Sequence, residues 1–251
     1  MSNNRKLPIG LQDFEDLRTN GYLYVDKTFY VHQLNTNGKH YFLSRPRRFG
    51  KSLFLSTLKA YFLGKKELFD GLAIAELEKD WLIYPVIHID MNVGIITNTD
   101  SLLRRIHTIL NTLEKQWGIT VNDNDPATRL ELIIRYMYEK IGRKVVVLVD
   151  EYDKPLINTL NNTEVNQSIR EVLKGFYGVL KSADAYLRFV FLTGVTKFSK
   201  ISVFSDLNHL KDISQNKKLA GICGISETEL TQYFQPEIRL LSEQIKLSYD
   251  E

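Results

Sequence analysis

Residues 145–149 read VVVLV, five apolar side chains in unbroken succession that run straight into Asp150-Glu151. A strand with one wet face alternates apolar and polar residues. A run without alternation suits a strand covered on both faces, as in a parallel sheet lying between helices. The remaining sequence supplies the other parts of such a fold. HYFLS at 40–44, PVIHIDM at 85–91 and RFVFL at 188–192 are further short apolar segments, read as strands. Between them, apolar residues recur three and four apart, the period of a helix with one buried face. This holds for 51–63 (Leu53, Phe54, Leu58, Tyr61, Phe62) and for 100–117 (Leu102, Leu103, Ile106, Ile109, Leu110, Leu113). Segments 128–141 and 165–181 are read as helices too. Strands and helices therefore alternate from residue 40 to residue 193, the pattern of an α/β protein with right-handed crossovers.

The two ends are less periodic. Residues 7–24 hold turn signals (Pro8, Gly10, Asn20-Gly21) and read as an irregular arm, followed by a short helix at 27–34 capped by Asp26. Near the other end, Ser226 and Glu229 have capping-box spacing for a helix at 226–234, and 240–247 extends it or adds a last helix.

Composition narrows the class. The 251 residues are enough for one α/β domain, and 43% hydrophobic and 25% charged residues are ordinary globular values. A net charge of +3 gives no overall nucleic-acid footprint. A lone Cys223 excludes an intramolecular disulfide and a multi-cysteine zinc site, and fits a reducing compartment. The five histidines show no ligand spacing, so no transition-metal site is expected. MSNNRKLPIG lacks the apolar stretch of a signal peptide, and no run approaches the length of a membrane span. The expectation is a cytoplasmic protein without a membrane partner.

Residues 45–52 read RPRRFGKS. Gly50, Lys51 and Ser52 match the end of the phosphate loop G-x-x-x-x-G-K-[ST], with Arg45 where its first glycine stands. Glycine lets the backbone approach phosphates, and amides at a helix start bind anions. Lysine places charge on the β- and γ-phosphates, and serine is a magnesium ligand. Such a triplet arises by chance in roughly one chain in eight of this length, so its weight comes from the strand before it and the helix after it. Arg45, Arg47, Arg48, Phe49, Gly50, Lys51, Ser52 and Leu53 are the candidate nucleotide contacts. The three arginines keep a second reading, a basic loop that touches nucleic acid or an acidic partner.

The acidic strand end supplies the second half. At the C-terminal edge of a parallel sheet, where ligands sit, Asp150 is the candidate magnesium ligand alongside Ser52. Glu151 is the candidate base that orients the attacking water. Asp153 either tunes that site or caps the following segment. A third strand ends in Thr193-Gly194, and Thr193, with Thr196 second, is the candidate contact to the γ-phosphate or the lytic water. Lys51 and Thr193 thus join Glu151 as catalytic candidates. Lys197 and Lys200 either supply charge to a developing phosphate or are solvated. Asp90 reads as a turn or cap residue, His88 as a structural histidine, and Cys223 as inert.

YLYVDKT at 22–28, YFLSRPRRFGKS at 41–52, VVVLVDEYDKP at 145–155 and FLTGVTKFSKISVFSDLNHLKDIS at 191–214 together resemble the AAA-ATPase-like family of bacterial and archaeal proteins. The resemblance implies an ASCE-type P-loop NTPase fold, with a strand between the phosphate-loop strand and the acidic one. It carries Lys51 and Ser52 to the Walker A roles, Asp150 and Glu151 to the Walker B roles, and Thr193 to a sensor-like position. RPRRFGKS resembles the family's own form of the loop. The implied organisation is an arm at 1–36 packed on an ATPase core at 37–215, then a helical segment at 216–251. Many members continue into a PD-(D/E)XK nuclease-like domain. This sequence stops soon after the last motif, so no nuclease activity is expected. The implied activity is magnesium-dependent ATP hydrolysis driving a conformational switch. Three alternatives remain. One is a nucleotide-dependent binding module with negligible turnover, served by a homo-oligomer or an arginine donated in trans. Another is a nucleic-acid-associated motor or regulator. The last is a small-molecule kinase, which Asp150-Glu151 disfavours.

Overall fold

The structure, a computed structural model, describes residues 5–196, 203–204, 207 and 209–245. Five strands, β1 (His40–Ser44), β2 (Val86–Asp90), β3 (Val145–Asp150), β4 (Leu187–Gly194) and β5 (Lys211–Asp212), form one sheet in the order β2-β3-β4-β1-β5. All four pairings are parallel. Helices α1 (Phe14–Thr19), α2 (Thr28–Asn37), α3 (Lys51–Phe62), α4 (Ala73–Leu77), α5 (Thr99–Trp117), α6 (Pro126–Ile141), α7 (Lys154–Asn158), α8 (Thr163–Ser182) and α9 (Glu227–Ile245) complete the described elements, with short 3-10 turns between some of them.

The unbroken run in β3 has the burial it implied. Val145, Val147 and Val149 enter one core, with Leu110 of α5, Ile134 of α6 and Leu173 of α8. Val146 and Leu148 enter the other, with Phe54 and Leu58 of α3 and Phe14 of α1. These five apolar side chains are fully buried, and each such burial contributes about 1.5–3 kcal/mol. The chain is thus a three-layer α/β/α structure. It leaves β1 through α3 on one face and β3 through α7 and α8 on the other, so the C-terminal ends of β1 and β3 flank β4 and open a crevice.

Local chemistry sets the helix ends. Asn98, Asp125 and Asn162 cap α5, α6 and α8 through their side chains, and left-handed Gly118 and Gly142 stop α5 and α6. The irregular arm contains an element that the sequence pattern missed. Asp13 caps α1, whose Phe14 and Leu17 are fully buried. Six residues offer only one apolar repeat, too little to show a period. Asp26 lies one residue outside its expected cap position. Its carboxylate accepts from the Thr28 amide and hydroxyl, and also from the Ala73 amide of α4.

Ser226 and Glu229 form the expected capping box, and α9 continues through Pro236 to Ile245 as one helix. None of its side chains is buried. It is held to the arm by polar ties: Arg5 binds Glu237 at 2.6 Å and the Tyr233 carbonyl, and Lys27 pairs with Glu229. Among the described residues no helix is long and apolar enough to cross a membrane.

Candidate functional site

The polypeptide leaves β1, turns through residues 45–50, and enters α3. Gly50 adopts φ 86° at the helix start, a left-handed conformation that glycine takes without cost. No side chain caps α3, unlike α5, α6 and α8, so its first amides stay available. Lys51, Ser52 and Leu53 line a cleft of about 680 Å³. Lys51 is nearly buried, and its ammonium donates to the carbonyls of Arg45 and Pro46, both at 3.1 Å. Arg47 and Arg48 line the same cleft. Arg45 does not: its guanidinium donates to the Ser214 carbonyl at 2.6 Å and to Ser44. The basic triplet is thus split between two in the cleft and one bracing the strand end.

Glu151 lines the cleft from the acidic side. Its φ is 49°, left-handed for a residue with a side chain, a conformation that costs on the order of 1–3 kcal/mol and occurs preferentially at functional sites. Among the described residues three non-glycine residues have positive φ, and two of them, Arg48 and Glu151, line this cleft. The Glu151 amide donates to Asp150 Oδ1 at 3.0 Å, which holds the turn. Partial burial, and then the negative charge of Asp150, raise the Glu151 carboxyl above its ordinary value, against the opposing pull of Lys51, Lys154 and Arg47.

Asp150 is almost buried. Its Oδ1 accepts from the Thr193 hydroxyl at 2.5 Å. Thr193 is fully buried, and its hydroxyl also reaches the Val149 carbonyl at 3.4 Å. The structure therefore sets this hydroxyl on the carboxylate, where it fixes Asp150. Thr193→Val keeps the shape and removes a hydrogen bond to a charged group, worth about 1.5–3 kcal/mol. The expected result is a loss of that order in unfolding free energy, measured by urea denaturation. An unchanged midpoint would remove the positioning role.

Asp153 is fully buried and serves the segment after β4: it accepts from the amides of Val195 and Thr196 and from the Thr196 hydroxyl. Asp153 precedes α7 but makes no side-chain cap bond to it, so its role is structural without being the cap of the segment that follows it. The Thr196 amide and hydroxyl thus both donate to Asp153. Gly194 passes close by: a Cβ there would stand 2.4 Å from the Tyr152 ring and 2.8 Å from Asp153 Oδ1, so only glycine fits. Lys197 and Lys200 lie outside the described residues.

The sequence reading missed several cleft residues. Lys154 opens α7 inside the VDEYDKP segment, Asn92 follows β2, and residues 8–12 of the arm border the opening. The motif around Asp150 was the available signal for Lys154. Residues 8–12 carry none, because only tertiary folding brings them there. A second pocket of about 270 Å³ adjoins the cleft, and Arg48, Gly50 and Leu53 border both. Its apolar walls include Tyr24, Val25, Phe49, Ile222 and Phe234. Phe49 is held there by the Gly224 amide, which donates to its carbonyl at 2.8 Å. Cys223 lines this pocket, and burial pushes its thiol up to about 11, which leaves it unreactive.

Fold and site together define an α/β protein whose five-stranded parallel sheet carries a basic and acidic cleft at its C-terminal edge. The chain belongs to the AAA-ATPase-like family, described as "Predicted AAA-ATPase", whose model matches residues 8–204. That membership suggests ATP binding and NTPase activity. The chain is also 44% identical over 236 residues to an "Uncharacterized protein in vnfD 5'region" of Azotobacter chroococcum mcd 1. The match covers 93% of this chain and 46% of the relative, so the chain spans about half of that protein's length. No solved structure matches.

Proposed function

We propose that the cleft is the ATP site of a P-loop NTPase and that the chain hydrolyses the β–γ phosphoanhydride with magnesium. One observation carries this reading: the uncapped start of α3, with Lys51 and Ser52, faces Glu151 across a single cleft. The α3 amides and the turn at Gly50 take the phosphates. Lys51 turns from its two backbone carbonyls to the β- and γ-phosphates, and Arg47 and Arg48 add charge around them. The Ser52 hydroxyl and the Asp150 carboxylate are hard oxygen donors, the set that suits magnesium. They would hold the ion, which supplies charge neutralisation at the transferred phosphoryl group. Glu151 accepts the proton of the attacking water, and Thr193 keeps Asp150 in place. The apolar pocket beside Phe49 takes the base.

A second reading, a nucleotide-dependent binding module, draws on a different observation. Apart from Arg47 and Arg48, no arginine among the described residues lines the cleft. An arginine supplied from a partner can raise such rates by several orders of magnitude, and a homo-oligomer would supply it. ATP binding and phosphate release, measured with and without magnesium over a range of protein concentrations, test both readings. Magnesium-dependent turnover per chain that rises with concentration supports hydrolysis assisted in trans. Binding without turnover at any concentration leaves the binding module. No binding at millimolar ATP removes both.

A further inference from the structure

Three side chains remote from the cleft meet at the opposite end of the sheet. His40 is the first residue of β1. Asp184 opens the 3-10 turn that leads into β4, and His209 lies two residues before β5. Since β4, β1 and β5 are neighbours in the sheet, parallel pairing brings their starts together. The potential ligand atoms of the three residues all lie within 4.8 Å of one another. The His40 and His209 rings are edge to face at 4.2 Å between centroids.

His40 is 7% exposed, and its Nε2 is buried without a hydrogen bond among the described residues, although Asp184 Oδ1 stands 3.2 Å away. A buried polar atom left unmatched costs about 1–3 kcal/mol. An ordinary histidine–aspartate ion pair does not account for it. Burial, with His209 and Lys39 beside it, pushes the His40 imidazole down to about 4, so the ring is neutral at neutral pH.

We propose that His40, Asp184 and His209 bind one divalent cation of the zinc class, with water completing a four-coordinate shell. Two imidazole nitrogens and a carboxylate oxygen are the donor set that zinc takes, at about 2.0–2.2 Å. Ligand atoms around such an ion lie about 3.3–3.5 Å apart, and the exposed Asp184 and His209 side chains can close the remaining distance by rotation. Their exposure also gives the ion a path in. The sequence alone indicated no such site, because residues 40, 184 and 209 meet only through strand order. The ion would tie the starts of three strands, a structural role separate from the nucleotide cleft. Lys39 is its competitor: the ammonium donates to the carbonyl and to Oδ1 of Asp184, both at 2.6 Å.

Chelator-stripped protein titrated with zinc chloride by calorimetry, and with cobalt chloride by visible absorption, provides the test. The expected result is one zinc per chain, four-coordinate cobalt bands that zinc displaces and magnesium does not, and a melting temperature raised by zinc. His209→Ala changes an exposed residue and should weaken binding about 100-fold or more, with Asp184→Asn weakening it at least about tenfold. Lys39→Gln should bind zinc more tightly than the parent. Zinc uptake unchanged in His209→Ala, weaker binding by Lys39→Gln, or no saturable binding by the folded parent would overturn the proposal.

Discussion

Lys51→Ala is expected to weaken ATP binding by about 100-fold or more and to leave the fold in place. The ammonium is nearly buried against the carbonyls of Arg45 and Pro46. Truncation removes two charge-assisted hydrogen bonds within one loop, while both hydrophobic cores stay intact. In the proposed nucleotide complex the same ammonium would be the charge that the start of α3 brings to the phosphates. Losing about 3 kcal/mol or more there lowers affinity by about 100-fold or more. Calorimetric titration with ATP reads the loss, and a thermal melt confirms that the variant is folded. A folded variant that binds ATP like the parent would move the phosphate site elsewhere.

Glu151→Gln is expected to keep ATP binding and to slow turnover severely. Glutamine has the size of glutamate, and the hydrogen bond that holds the strained turn comes from the residue 151 amide, which the substitution leaves untouched. It also removes the repulsion between Glu151 and Asp150, so binding holds or tightens. A general base contributes about 10²–10⁴-fold to rate, and a loss in that range is expected in phosphate release. Wild-type turnover in this variant would end the assignment of Glu151. The raised Glu151 carboxyl adds a pH signature. A base works only when ionised, so with Glu151 in that role the acid limb of the parent's rate profile is expected above the ordinary glutamate value. The linkage runs in the same sense. A carboxyl raised by folding favours the folded state below its unfolded value and loses that contribution as pH rises through its folded value. The glutamine variant is therefore the more stable protein at neutral pH, by a margin that vanishes in acid.

How far the sequence foretold this molecule depended on where the information lay. β1 to β4 were legible because their apolar side chains fill two cores, and in β3 burial on both faces leaves an unbroken apolar run, although in β2 His88 is exposed. β5 was not, since Lys211 and Asp212 are exposed and form a strand only by pairing with Tyr41 and Phe42. Lys51, Ser52, Asp150 and Glu151 were legible as residue types at strand ends. The split among the arginines was not, because the tie from Arg45 to Ser214 spans 169 residues. The Thr193 hydroxyl likewise needed the register of β4 against β3 to reveal its partner. Residues 8–12 and the His40 cluster are products of tertiary folding and leave no local pattern.

One consequence follows from the place of β4 between β1 and β3. Leu43 and Ser44 pair with Thr193 and Gly194, and Val149 pairs with Leu192. The strand that carries the loop and the strand that carries the acids are therefore held two strand spacings apart, about 9.5 Å. β4 acts as a fixed gauge block whose thickness is set by backbone geometry and does not change with the side chains around the opening. Substitutions at the rim can alter what the crevice grips, but its jaws stay the same distance apart.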